Sequence, residues 1–212
     1  MNPDAIIRRP FRYRNHNAVL VLIAVNVGVY LLSRVSRGFL VSMAMSPALV
    51  MQGRFWLFFT YMFAHGSISH LFFNMLGLFF FGTHVERELG TYEFLLFYFL
   101  TGILAGVFSF AAYAAAGGWF TFLIGASGAV YAVLLAFAAL FPGAVIHVWG
   151  ILPVRAPVLV LAYTGIELAS EVFAVRSGVA HLTHLAGFGF SYLYLLIRLG
   201  INPARMFFRR DR

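Results

Sequence analysis

The stretch HGSISHLFFNMLGLFFFGTHVERELG, residues 65–90, decides the fold. From residue 69 to 82 it is a nearly unbroken apolar run, and it ends before the polar cluster His84-Val85-Glu86-Arg87-Glu88. Inside the run stand His70 and Asn74, four apart and therefore on one helix face. His65 sits one loop earlier. Polar side chains are expensive in lipid, so each is a functional candidate by default. Three readings of this group stay open: glue between helices, donors to a developing oxyanion, or metal ligands.

The rest of the chain has the same character. Of 212 residues, 62% are hydrophobic, 18% aromatic and only 10% charged. Soluble domains carry about a quarter charged residues, and one soluble core of this length could not hide so much apolar surface. A water-soluble enzyme and a disordered chain are excluded, and without Cys so is a disulfide scaffold. Further apolar runs lie at about 18–33, 94–116, 119–141, 156–175 and 179–197. None alternates as a barrel strand would, so the expectation is an all-α polytopic membrane protein of six transmembrane helices. The runs at 69–82 and 119–141 are short, which suits helices at the centre of a bundle. The connection at 36–66 is broken by Pro47, Gly53 and Arg54 yet rich in Met, Phe and Leu. It reads as an amphipathic first loop lying in the membrane interface.

The net charge of +8 is fifteen arginines, with no lysine, against seven acidic residues. Arg8, Arg9, Arg12, Arg14, Arg87, Arg155, Arg198, Arg205, Arg209, Arg210 and Arg212 fall on one side of the predicted bundle. Arg34, Arg37, Arg54 and Arg176 fall on the other. The positive-inside rule places the eleven in the cytoplasm with both termini. The basic ends then anchor to lipid headgroups, and nucleic acid is not an expected partner. No small-residue cleavage site follows the first run, and no repeat or second domain is evident. The expectation is one membrane-embedded domain over 1–212, with basic tails at 1–17 and 200–212.

Two further polar groups interrupt the apolar runs. In Gly125-Ala126-Ser127-Gly128-Ala129-Val130-Tyr131, Ser127 stands where an irregular segment enters a helix. Free backbone N–H groups at a helix start would serve a serine nucleophile, while the small residues alone would suit close packing. Tyr131 is one turn on, on the same face. This is not the G-x-S-x-G elbow, because position 129 is Ala. In His181-Leu-Thr-His184-Leu-Ala-Gly187-Phe-Gly189, a histidine could act as general base for Ser127 if the two helices touch. Two histidines at this spacing could also hold a metal, but HExxH is absent and a carboxylate ligand is hard to place. Asp occurs only at Asp4 and Asp211, both in the tails. Glu167 and Glu171 read as a water-facing or helix-pairing face. With no intramembrane Asp, the simplest constellation is a Ser–His pair rather than a triad.

HGSISHLFFN, GASG and AHLTHLAG, in that order, together closely resemble the rhomboid family of intramembrane serine proteases. The resemblance covers about residues 54–199, and residues 86–90 look like the family's acidic-then-glycine turn. It implies the basic six-helix bacterial form in an inner membrane, with membrane proteins as substrates and no cofactor or metal. It implies Ser127 as nucleophile and His184, not His181, as catalytic base. The Ser127 N–H with the side chains of His70 and Asn74 would form the oxyanion hole. Tyr131 would pack on the catalytic imidazole, His65 would line the site, and Gly125, Gly128 and Gly187 would let the helices approach. Family members often carry Trp-Arg in the first loop, whereas Phe55-Trp56-Leu57 has no Arg there. The alternative is a non-catalytic rhomboid-like protein that binds membrane helices.

Overall fold

The computed structural model describes residues 11–148, 150–172 and 181–207. Its elements are α1 (Ala18–Val35), α2 (Arg37–Met43), α3 (Pro47–Met51), α4 (Leu57–Thr60), α5 (Ile68–Gly77), α6 (Thr83–Leu89), α7 (Thr91–Ala115), α8 (Ser127–Leu140), β1 (Val145–Val148), β2 (Leu152–Arg155), α9 (Ala156–Val172), α10 (His181–Ile197) and α11 (Pro203–Phe207). The architecture is an all-α bundle; β1 and β2 form only a short antiparallel hairpin between α8 and α9. Among the described residues, three helices are long and apolar enough to cross a membrane: Ala18–Val35, Ile68–Leu89 and Thr91–Ala115. α8, α9 and α10 are shorter, at 14, 17 and 17 residues.

α8 is the hub. Eleven of its fourteen residues are buried, and it packs against α7, α9 and α10. Its run of Ala, Val and Leu is apolar all round, as a fully enclosed helix requires. α1 is the opposite case. Val19, Leu22, Asn26, Tyr30 and Ser33 are buried at three- and four-residue spacing, while Leu20, Val21, Val25, Leu31 and Leu32 are exposed. Such an apolar outer face is stable against lipid tails and not against water.

The run at 69–82 departs from its expected place. It is neither short nor central. A π-helical turn at Leu78–Gly82 carries α5 directly into α6, so the helix continues through the polar cluster to Leu89. It exposes Phe72, Phe73, Phe79 and Phe80 and buries a stripe of Leu71, Asn74, Met75 and Leu78. The cluster stays helical because Glu86 is consumed elsewhere. Its buried carboxylate accepts from the Ala18 and Val19 N–H groups at 2.7 and 2.9 Å and from the Thr91 hydroxyl at 2.6 Å. An acid thus satisfies the orphan donors at the start of α1. The turn ends at Gly90, whose φ of +81° and close approach to Tyr13 and Arg14 suit only glycine.

Two other devices set the frame. Glu93 on α7 takes a bidentate pair of hydrogen bonds from Arg198 just beyond α10, both 2.8 Å, and another from Tyr194. The first loop carries apolar side chains on both sides: Met51, Phe55, Trp56 and Phe59 are exposed, whereas Met45, Val50, Leu57, Tyr61 and Met62 are buried. Its inner side grips the segment leading into α8. Met45 and Leu123 exchange backbone hydrogen bonds of 3.0 and 2.7 Å, and Gly125 N–H donates to the Tyr61 carbonyl at 2.9 Å. The Tyr61 hydroxyl in turn donates to the Gly102 carbonyl at 2.6 Å.

Candidate active site

Ser127 is the first residue of α8. The segment before it arrives through Gly125, held at φ +114°, a value that a side chain would strain. The first N–H groups of an α-helix have no intrahelical acceptor, so α8 begins with free donors at the serine. Across from it, His184 Nε2 lies 2.8 Å from Ser127 Oγ. His184 is buried and Ser127 half-buried.

Close helix contact makes that distance possible. A Cβ at Gly187 would collide with the Gly128 carbonyl, and one at Gly128 would press on Thr183 and Ala105. α8 and α10 therefore meet backbone to backbone. Ser191 reinforces the contact by donating to the Ala132 carbonyl at 2.8 Å. The Tyr131 ring lies flat on the His184 imidazole, with centroids 4.1 Å apart and planes 9° from parallel. That leaves the imidazole little freedom to swing.

His70 and Asn74 approach from α5. Ser67 caps this helix, its hydroxyl accepting from the His70 N–H at 3.1 Å. A Cβ at Gly125 would strike the His70 imidazole and come within 3.8 Å of the Asn74 amide nitrogen. Both side chains thus sit over the turn that precedes Ser127. His65 is buried behind them, edge-on to His70 at 5.0 Å, with Nδ1 3.2 Å from the Phe63 carbonyl. Its ring contact is with His70, and it is not among the residues that line the groove over Ser127.

A groove of about 1340 Å³ opens over the pair. His70, Asn74, Ser127, Tyr131 and His184 line it, and it continues along α5, α6 and α8 past Phe80, Phe81, Phe137 and Phe141. Polar side chains gather around Ser127, and His84 and His147 stand toward the other end; the rest of the lining is mostly apolar and aromatic. Such a lining suits a largely apolar ligand.

Of the two surroundings expected for Glu167, water or a neighbouring helix, it has the second. Glu167 on α9 does not face water; it pairs α9 with α8 and α10. It is buried, with Oε1 3.0 Å from His184 Nδ1 and accepting from the Tyr131 hydroxyl at 2.6 Å. Its Oε2 lies 2.5 Å from His181 Nδ1. The available signal was its rarity: an acid within an apolar run is a functional candidate by default. Glu171 has its side chain outside the described residues. The expectation that a carboxylate is hard to place beside the histidines is corrected. Glu167, His181 and His184 bring ligand atoms within 4.8 Å of one another, a set able to hold a divalent ion.

The bundle and its lipid-suited surface define a polytopic membrane protein with a serine and a histidine in contact at the mouth of an apolar groove. Residues 52–201 match the Rhomboid domain family. The chain is 32% identical over 189 residues to RHOMBOID-like protein 12, mitochondrial, of Arabidopsis thaliana, covering 82% of this chain and 56% of the relative. It is 39% identical over 93 residues to Rhomboid protease GluP of Bacillus subtilis, covering 43% and 17%. It is 32% identical over 85 residues to Rhomboid protease GlpG of Salmonella newport, covering 40% and 29%. The chain thus spans little more than half of the first relative's length and less of the other two. It belongs to the rhomboid family.

Proposed function

We propose that this protein is an intramembrane serine endopeptidase that cleaves transmembrane segments of other membrane proteins through Ser127 and His184. The observation that carries this reading is the 2.8 Å approach of His184 Nε2 to Ser127 Oγ at the start of α8, inside the groove. Ser127 Oγ attacks the scissile carbonyl while its proton passes to His184 Nε2. The oxyanion is held by the Ser127 N–H and the side chains of His70 and Asn74. The C–N bond then breaks, the leaving amine takes the proton from His184, and an ester on Ser127 remains. Water attacks that ester, giving a proton to His184, which returns it to Ser127 as the acid departs. Relatives named as rhomboid proteases support the reaction class.

The architecture proposed with this reading is a single domain of six spans. α8, α9 and α10 join the three longer helices, and both termini lie in the cytoplasm. In that orientation His70, Ser127 and His184 begin their helices, and Glu167 lies toward the end of its own, all at the outer side. Water reaches the site there, and a substrate segment lies along the apolar groove. A bacterial inner membrane is the proposed location; the GluP and GlpG relatives come from bacteria.

A fluorophosphonate probe tests the central claim. Purified protein in liposomes should be labelled at Ser127 and should cleave a transmembrane reporter. An unlabelled serine in folded protein would leave a membrane-helix binding protein as the better reading. Asn74→Ala tests the oxyanion role. It should lower kcat by about 10²–10³-fold with little change in KM, since such a donor acts mainly in the transition state. An unchanged kcat would remove Asn74 from that role.

A further inference from the structure

We propose that Glu167 is a positioning residue for the hydrolytic reaction, completing a Ser127–His184–Glu167 relay through His184 Nδ1. The inference rests on the reading of Ser127 and His184 as the reacting pair. From residue 161 to 169 on α9, Glu167 alone is buried, while its neighbours Leu161, Tyr163, Ile166 and Leu168 are exposed. The start of α9 packs through Ala156 and Val160, but over the stretch that follows the carboxylate is its one fully buried contact with the bundle. Such a group is costly away from water and persists only with partners. Its partners come from both neighbouring helices: Tyr131 of α8 at 2.6 Å, and His181 and His184 of α10 at 2.5 and 3.0 Å.

The chemistry follows from which nitrogen faces which group. Glu167 accepts, so His184 Nδ1 carries its proton toward α9. Nε2 is then the unprotonated nitrogen, and it faces Ser127 Oγ at 2.8 Å. Tyr131 acts twice, lying on the imidazole face and donating to the same carboxylate oxygen. When Nε2 takes the serine proton, the positive charge forms beside a carboxylate that is already in place and stays ionised. This is the role of the acid in a Ser–His–acid triad, supplied here by a Glu from a third helix.

The experiment uses the full chain in liposomes with a transmembrane reporter and a fluorophosphonate probe. Glu167→Gln removes the charge at nearly constant shape. It should lower kcat by about 10²–10⁴-fold with KM within about threefold, and should slow probe labelling of Ser127 in parallel. Glu167→Asp should recover at least about tenfold over Gln, because it restores a carboxylate. A purely structural role would move the melting temperature and leave the labelling rate of folded protein alone. A Gln variant with kcat within about threefold of wild type, or an Asp variant no better than Gln, overturns the proposal. Should Glu167→Gln fail to fold, ¹⁵N-histidine NMR of the wild type decides. His184 protonated at Nδ1 supports the proposal, and the Nε2 tautomer overturns it. Cleavage that survives in Ser127→Ala would instead defeat the reacting pair itself, so the two failures are distinguishable.

Discussion

Cleavage of a transmembrane reporter should fall by roughly 10⁶-fold in Ser127→Ala and comparably in His184→Ala, and the double variant should lose no more than either alone. Ser127→Ala removes the atom that forms the ester and leaves His184 Nε2 facing a methyl group. His184→Ala leaves a hydroxyl with no acceptor for its proton at the 2.8 Å position. In the proposed mechanism the two side chains act on one proton, so removing one disables the other, and their losses cannot add. The proposed oxyanion donors remain in every variant and should set a common residual rate. Single-turnover kinetics in liposomes reads all three variants against a melting temperature for each. A single variant within about tenfold of the wild type would dissolve the pair as a catalytic unit.

Gly187→Leu should disable the protein without touching a reacting atom. Position 187 is one turn beyond His184 on α10, and any side chain there meets the Gly128 carbonyl of α8. Backbone cannot yield as a flexible side chain can, so α10 must shift or turn away. Overpacking of this kind costs about 1–3 kcal/mol of stability. A displacement of about 1 Å at the site costs about 10²-fold in rate, and a leucine demands more than a methyl group would. Gly187→Ala should therefore show the same losses in milder form. Gly189 is the control: it is exposed, and a Cβ there meets nothing within 4 Å, so Gly189→Ala should leave activity and melting temperature unchanged. Full activity in Gly187→Leu would mean that this contact does not seat His184.

Some expectations needed tertiary structure to correct them. Hydropathy ended the second run at Gly82 because polar residues follow, yet the helix continues to Leu89. A hydropathy reading charges Glu86 its full cost, while the folded chain offsets that cost with two N–H groups nearly seventy residues earlier. The groove along α5 and α8 was likewise not readable from the sequence, since it is the space left between packed helices.

The sequence by itself determined the solvent, the helical class and the order of the polar groups. These are local properties: apolar runs, the four-residue spacing of His70 and Asn74, and the small residues around Ser127. It also identified the scarce acids, but four-residue spacing puts Glu167 and Glu171 on one face without saying what that face meets. Only the tertiary structure decided that Glu167 turns inward to His184, Tyr131 and His181, which lie 14 to 36 residues away on other helices. A carboxylate's role is set by the donors around it, and in a helical bundle those donors come from elements that the sequence does not place side by side.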